Sequence, residues 1–243
     1  MIGRMRYELY YWPSIQGRGE FVRLALEDAG AEYVDVARRK GGVGKMMRLM
    51  ESATLARPPW APPFLRAGKL VIGQAALILH YLGPRLGLAP RDEAGRMWAH
   101  QLQLTIADFA TEGHNIHHPV AVALYYEQQK KEAKRAAPYF TKERIPKYLD
   151  HFEAVLERND GRHLVGRRVT YVDLSTFQMM DWLHYAFPRA MKRHASRYPL
   201  LARLRDRVAA RPRLAEYLAS PRRLPFNEGD LFRRYPELDR SAR

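Results

Sequence analysis

Two periods divide this chain. Over residues 5–12 the pattern repeats every two positions, with Tyr7, Leu9 and Tyr11 on one face and Glu8 and Tyr10 on the other, which predicts a strand. From about 17 to 30 the period becomes helical: Phe21, Leu24, Ala25 and Ala29 share a face and Gly30 supplies a C-terminal stop. Residues 33–36 read as a short second strand, and a basic, glycine-containing loop then leads into a Met/Leu-rich helix. The proline cluster at 57–63 cannot be helix interior, because proline removes backbone donors and fixes φ. Residues 64–65 and 70–72 flank a turn at 66–68 and predict a β-hairpin. The stretch after Gly73 reads as a helix ending near Gly83 and Pro84. This order, β-α-β-α-β-β-α, predicts a small mixed α/β domain over 1–84.

After a linker at 85–91 the pattern is helical almost throughout 92–219. Trp98, Leu102, Ile106 and Phe109 hold one face of a helix from about 93 to 117, stopped by Pro119. A second helix covers about 141–158. Thr170 and Asp173 form a capping box ahead of a third at about 171–190, and a last one spans 199–219, with Pro199 and Pro212 marking starts or turns. The tail at 220–243 mixes Pro, Arg and acids and is expected on the surface, with Phe226, Phe232 and Tyr235 able to pack back on the helices.

Composition narrows the chemistry. A chain of 243 residues suffices for one large or two modest domains with real cores. There are no cysteines, which excludes disulfides, thiolate metal sites and a thiol nucleophile carried by the protein. The N-terminus has no apolar h-region, and the longest apolar run, at about 70–83, is too short and interrupted to span a bilayer. No membrane partner and a cytoplasmic location follow as expectations. The net charge of +15 comes from basic residues interleaved with acids, so it reads as a solvated surface that favours anionic small ligands rather than nucleic acid. Gly44–Lys45 has the look of a phosphate loop, but Arg39 stands where the first glycine is required and Met46 where Ser or Thr is.

Over about 5–219 the chain resembles the soluble (cytosolic) glutathione S-transferase family, in its Tyr- or Ser-type, bacterial-like forms. The resemblance implies the GST fold, a thioredoxin-like α/β N-terminal domain followed by an all-α C-terminal domain, with glutathione as co-substrate. It rests on Tyr11–Trp12 at a strand end, on Gly17–Arg18, on the prolines before the hairpin, and on Gln74–Ala75, where the family has Gln-Ser at the γ-glutamyl end of glutathione. The run Leu164–Val165–Gly166 to Asp173 resembles the family's helix-capping signature. By the same resemblance Pro63 is cis and Ala61–Pro62 present main-chain groups to the ligand. Arg18 and Lys45 serve the glutathione site, and Asp108 reaches the partner subunit's glutathione in a homodimer. Trp12, His114 and His118 then line the pocket for a small-molecule electrophile.

Such an enzyme activates its substrate's thiol. A free thiol has a pKa of about 8.5, and lowering it by about two units takes roughly 2.7 kcal/mol of preferential thiolate stabilisation. One hydroxyl donor and a helix N-terminus near Gly17 supply that order of magnitude. The turn from Pro13 to Gln16 is one residue longer than in the Tyr-type classes, so both Tyr11 and Ser14 remain candidates as donor, Tyr11 first; alternation turns Tyr10 away. His114 and His118 are spaced for a metal, yet no third ligand accompanies them, and no metal is expected. The alternative function is a non-catalytic glutathione- or ligand-binding protein on the same fold, a reading that Ala75 favours.

Overall fold

The computed structural model describes residues 6–240. Strand β1 (Tyr7–Tyr10) lies inside a four-stranded sheet of order β2-β1-β3-β4. It pairs in parallel with β2 (Tyr33–Asp35) and antiparallel with β3 (Phe64–Ala67), which turns back into β4 (Leu70–Gly73). The period-two pattern sorts the side chains. Tyr7 and Leu9 pack with Val22 and Leu26 of α1 (Gly19–Ala29) and with Ile78 and Leu82 of α3 (Ala75–Leu86). Tyr10 goes to the opposite face, against Val34, Phe64 and Met46 of α2 (Gly42–Met50). Gly30 ends α1 at φ 62, the left-handed conformation in which its N–H bonds back to Glu27.

Two N-terminal boundaries differ from expectation. α1 starts at Gly19, leaving 11–18 as an irregular turn. α3 does not stop at Gly83 but runs through Pro84 to Leu86, because only the bond from the proline nitrogen is lost and Gly87, left-handed, donates to the Gly83 carbonyl.

The helical half comprises α4 (Glu93–Asn115), α5 (Lys130–Tyr139), α6 (Ile145–Arg158), α7 (Tyr171–Ala186), α8 (Pro188–His194), α9 (Pro199–Ala209) and α10 (Pro212–Leu218). The sequence pattern missed α5 and extended α6 back to 141. Pro138 cannot donate, and the chain crosses from α5 to α6 through a widened π-turn, Phe140–Arg144, with the Thr141 hydroxyl bonded to the Ala137 carbonyl at 3.0 Å. Proline also divides the other two expected helices, Pro188 starting α8 and Pro212 starting α10. The capping box forms as the pattern implies, Thr170 donating from N and Oγ1 to Asp173 at 2.7 and 2.8 Å. Among the described residues no helix is long and apolar enough to cross a membrane.

The largest core is built on α7 and fuses the two halves, since Phe21, Leu24 and Ala25 of α1 and Leu79 of α3 join it. Charge crosses the same boundary. Arg23, fully buried, pairs with Glu20 at 3.3 Å and Asp35 at 2.7 Å, and Tyr217 of α10 donates to Glu20 at 2.8 Å. Arg211 grips Asp28 through two bonds of 2.5 and 2.8 Å. Part of the arginine excess therefore closes ion pairs between the halves.

The residues after Ser220 are more than a surface tail. Phe226 stacks on Tyr185, and Phe232 lies between Trp182 and Phe109 with ring centroids 4.9 and 5.5 Å away. The strap crosses α4 at Gly113, where a Cβ would collide with the Phe232 ring. At its far end Asp239 accepts from the Arg189 and Ala190 amides at 2.6 and 2.9 Å, capping α8.

Candidate active site

A cavity of about 500 Å³ opens between the start of α1, the proline loop, the start of α3 and one face of α4. It brings together Arg18, Ala61, Pro62, Pro63, Gln74, Ala75 and Asp108, seven residues from four separate stretches of the sequence. The Pro62–Pro63 peptide is cis. Gln74 sits at φ 65, the one positive-φ residue other than glycine among those described, a strained conformation of the kind found at ligand clamps. Its carbonyl still accepts from Ile78 at 2.9 Å, so the strain occurs at the point where the loop enters α3.

The opposite wall is a helical stripe on α4: His100, Gln103, Leu104, Ala107, Asp108 and Thr111 recur at spacings of three and four. Arg18 spans the cavity mouth and donates to Thr111 Oγ1 at 3.1 Å. Arg18 and Asp108 give the cavity a cation and an anion, the complement of a zwitterionic peptide. Asp108, expected to reach across to a partner, stands in the wall of its own chain's cavity. Gln103 is 1% exposed and, among the described residues, neither of its amide atoms has a hydrogen-bond partner; His100 Nδ1 is likewise unpartnered there. Burial pushes the His100 pKa down, so the ring is neutral near physiological pH.

Tyr11 lies directly behind Arg18. Its hydroxyl accepts from the Arg18 amide at 2.9 Å, and its ring fills the space beside Gly17 and Gly19, where a Cβ at either position would collide with it. Burial pushes its pKa up to about 12, against the lowering effect of that amide, so the phenol keeps its proton and acts as a donor, not a base. That proton has no acceptor among the described residues. Tyr11 does not line the cavity; the shared Arg18 connects the two.

Other expectations change. The helix N-terminus expected near Gly17 as an anion site is already engaged by the chain itself: the amides of Gln16 and Gly17 donate to Asp230 at 3.1 and 2.9 Å. The longer turn leaves these two buried donors without a local acceptor, and the strap provides one. Ser14 is exposed; its carbonyl accepts from Asn227 at 2.9 Å and its hydroxyl has no partner among the described residues. Lys45 lines a separate groove beside Tyr10 and Arg48, because Met46 packs α2 against the sheet face away from the cavity and leaves Lys45 on its outer side.

Trp12, exposed, and His114 and His118 also lie outside the cavity lining. The histidines stack with His117 in a trio of ring centroids 4.7 to 5.2 Å apart at the end of α4. His117 donates from Nε2 to the Leu231 carbonyl at 2.8 Å, and His118 Nδ1 bonds the Leu124 carbonyl at 3.0 Å, so both rings hold backbone. Burial pushes the pKa of His114 down to about 4 and that of His117 down to about 3. No group of described His, Cys, Asp or Glu residues is placed to hold a metal ion.

Sequence reasoning overlooked the α4 stripe, although its spacing was readable. Asp230 carries no local signal: it is one acid in a mixed tail, 214 residues from the amide of Gln16.

Residues 114–221 match the family described as glutathione S-transferase, C-terminal domain. The chain is 29% identical over 224 residues to the glutathione S-transferase P 1 of Xenopus laevis, spanning 89% of this chain and 93% of the relative. It is 24% identical over 222 residues to the glutathione S-transferase of Plasmodium falciparum, spanning 87% and 94%. A Pi-class glutathione S-transferase structure from Onchocerca volvulus superposes with a TM-score of 0.67 at 23% identity, over 87% of this chain and 91% of that one, which shows the shared fold. None of these relatives is bacterial.

Proposed function

We propose that this chain, similar to glutathione S-transferases over most of its length, is a glutathione transferase of the Tyr type in which Tyr11 donates to the glutathione sulfur. The observation that carries the reading is the cavity that gathers the cis-proline loop, Gln74–Ala75, Arg18 and Asp108 in one place beside Tyr11. The cation and anion of that cavity suit the charged ends of a γ-glutamyl tripeptide. Ala61–Pro62 would face its backbone, and Gln74 with the amides opening α3 its γ-glutamyl end. Ala75 has no hydroxyl to add there.

In the reaction the bound thiol releases its proton to solvent, and the Tyr11 hydroxyl stabilises the thiolate by a charge-assisted hydrogen bond. The sulfur attacks an electrophilic carbon, a carbon–sulfur bond forms, and the leaving group departs with the electron pair. Ser14 is the second candidate donor.

We further infer a homodimer in the cytoplasm that detoxifies electrophiles. The exposed Leu77 of α3 and Leu104 of α4 line the cavity, Met97 of α4 is exposed as well, and these apolar side chains support a paired surface. In such a pair Asp108 would serve both its own cavity and its neighbour's. Sedimentation at micromolar concentration is expected to give a dimer; a monomer refutes that part. The transferase reading is tested by retention on immobilised glutathione and conjugation of an aryl halide. Absence of both refutes it, and retention without turnover identifies a binding protein instead.

A further inference from the structure

We propose that the strap after Ser220 is a positioning element of the thiol site: Asp230, with Asn227 and the Leu224 carbonyl, holds the turn at 14–17 so that the Arg18 amide meets the Tyr11 hydroxyl. The inference rests on Tyr11 as the sulfur's donor and deepens that reading.

The strap takes hold of the turn at successive points. Asp230 is 1% exposed; its Oδ2 accepts from Gln16 N at 3.1 Å and its Oδ1 from Gly17 N at 2.9 Å. Gln16 is equally buried and donates from Nε2 to the Leu224 carbonyl at 2.6 Å, while its Oε1 accepts from Gln178 of α7 at 2.7 Å. Asn227 donates from Nδ2 to the Ser14 carbonyl at 2.9 Å. The next amide along, that of Arg18, is the one bonded to Tyr11. From the N-terminal half itself, Arg23 Nη1 donates to the Gln16 carbonyl at 3.1 Å, which leaves the Gln16 and Gly17 amides to the strap.

The strap is itself anchored on both sides of this contact. Arg222 pairs with Glu27 at 2.6 Å and Phe232 is buried on Trp182, while Arg233 Nε braces the Asp230 carbonyl at 3.1 Å. Asp230 touches neither cavity nor reacting atoms. It acts through the Gly17–Arg18 peptide, whose orientation determines whether the phenol oxygen is held and its proton left free for sulfur.

Three variants test this against wild type: Asp230→Ala, Asp230→Asn, which keeps one carbonyl acceptor in place, and Asn227→Ala, which cuts an exposed tie. Arg18, Glu20, Arg23 and Arg233, the charged groups around Tyr11 and Asp230, stay unchanged in all three. With glutathione and an aryl halide, Asp230→Ala is expected to lower kcat roughly tenfold or more and to raise the apparent thiol pKa, since small misplacements of a donor are costly. Asp230→Asn should recover a large part of the loss, and Asn227→Ala should shift both quantities the same way by less. A folded Asp230→Ala that loses melting temperature but keeps wild-type kcat and thiol pKa overturns the proposal. If that variant does not fold, unchanged kcat and thiol pKa in the other two overturn it.

Amide hydrogen exchange over 14–19 reads the hold without substrate. Faster exchange is expected in Asp230→Ala and Asn227→Ala, and unchanged exchange in a folded variant also refutes the proposal. A wild type inert toward glutathione whose turn still loosens in the variants refutes the transferase reading and leaves the hold intact.

Discussion

Replacing Tyr11 with Phe removes one oxygen and isolates the donor's share of thiolate stabilisation. The helix N-terminus has little left to offer an anion, because the Gln16 and Gly17 amides are bonded to Asp230 and the Arg18 amide to Tyr11 itself. The phenol must then supply most of the effect. A hydrogen bond to a charged group contributes about 1.5–3 kcal/mol, which corresponds to about 1–2 pKa units. From a free thiol near 8.5, that places the bound thiol at about 6.5–7.5. In Tyr11→Phe the midpoint should return toward the free value, lowering kcat/KM at pH 6.5 by roughly 10- to 50-fold. The sign follows from the reactive form. Thiolate is lost as pH falls, so the variant loses activity first, and the two curves converge above the free thiol's pKa. Because the Tyr11 phenol is pushed up to about 12, the limb measured between pH 5.5 and 9 belongs to the thiol. The assay is kcat/KM for glutathione against pH, with direct thiolate absorbance of the bound tripeptide as a check. Superimposable profiles would show that Tyr11 is not the donor. The variant also leaves the Arg18 amide without an acceptor, a separate stability loss of about 1 kcal/mol that melting measures independently.

Further outcomes follow from buried groups. Gln103→Leu removes an amide with no partner, so the ligand-free protein should gain stability, up to about 1–3 kcal/mol; if the amide serves bound peptide, KM for glutathione rises as well, and a loss of stability contradicts the packing described. Phe232→Ala empties the space between Trp182 and Phe109 and is expected to cost about 3–5 kcal/mol in urea unfolding; a cost under about 1 kcal/mol would mean that the strap is not part of the core. His114 and His117 are held neutral in the fold, with pKa values depressed to about 4 and about 3, while the unfolded chain protonates near 6.5. Their contribution is therefore complete above about pH 6.5 and is lost as pH falls toward 3, because the unfolded state takes up more protons across that window. His117→Gln, which keeps a donor for the Leu231 carbonyl, should flatten the slope of unfolding free energy between pH 4 and 6.5; an unaltered slope excludes His117 as its source.

Much of the fold was legible because it is written in local periods. The alternation of Tyr7, Leu9 and Tyr10, the hairpin around Gly68 and the Thr170–Asp173 box each depend on residues a few positions apart, and each formed. Elements governed by proline were harder. Pro138, Pro188 and Pro212 reset helices at points where apolar spacing continued across them, and α5 is so polar on its outer side that no stripe announced it. The candidate site divided along the same line. Arg18, the cis-proline loop, Gln74, Ala75 and Asp108 meet in one cavity, and the resemblance to a family had named them all. Lys45, Trp12, His114 and His118 belong elsewhere, since their placement depends on which face of α2 or α4 packs inward. Asp230 was beyond reach, because a single carboxylate finding two distant amides leaves no pattern in either stretch.

The joining of Asp230 to the turn at 16–17 also has a consequence for how the chain is made. More than two hundred residues separate the partners, so as the ribosome emits the first strand and helix, the buried amides between them have no acceptor and must stay hydrated or find a temporary one. The N-terminal sheet can assemble early from local pairings, but the turn at 14–17 cannot reach its final shape until the polypeptide through Asp230 has emerged and docked. A transcript truncated before that codon would yield a chain whose sheet is formed and whose turn beside Tyr11 is unfinished.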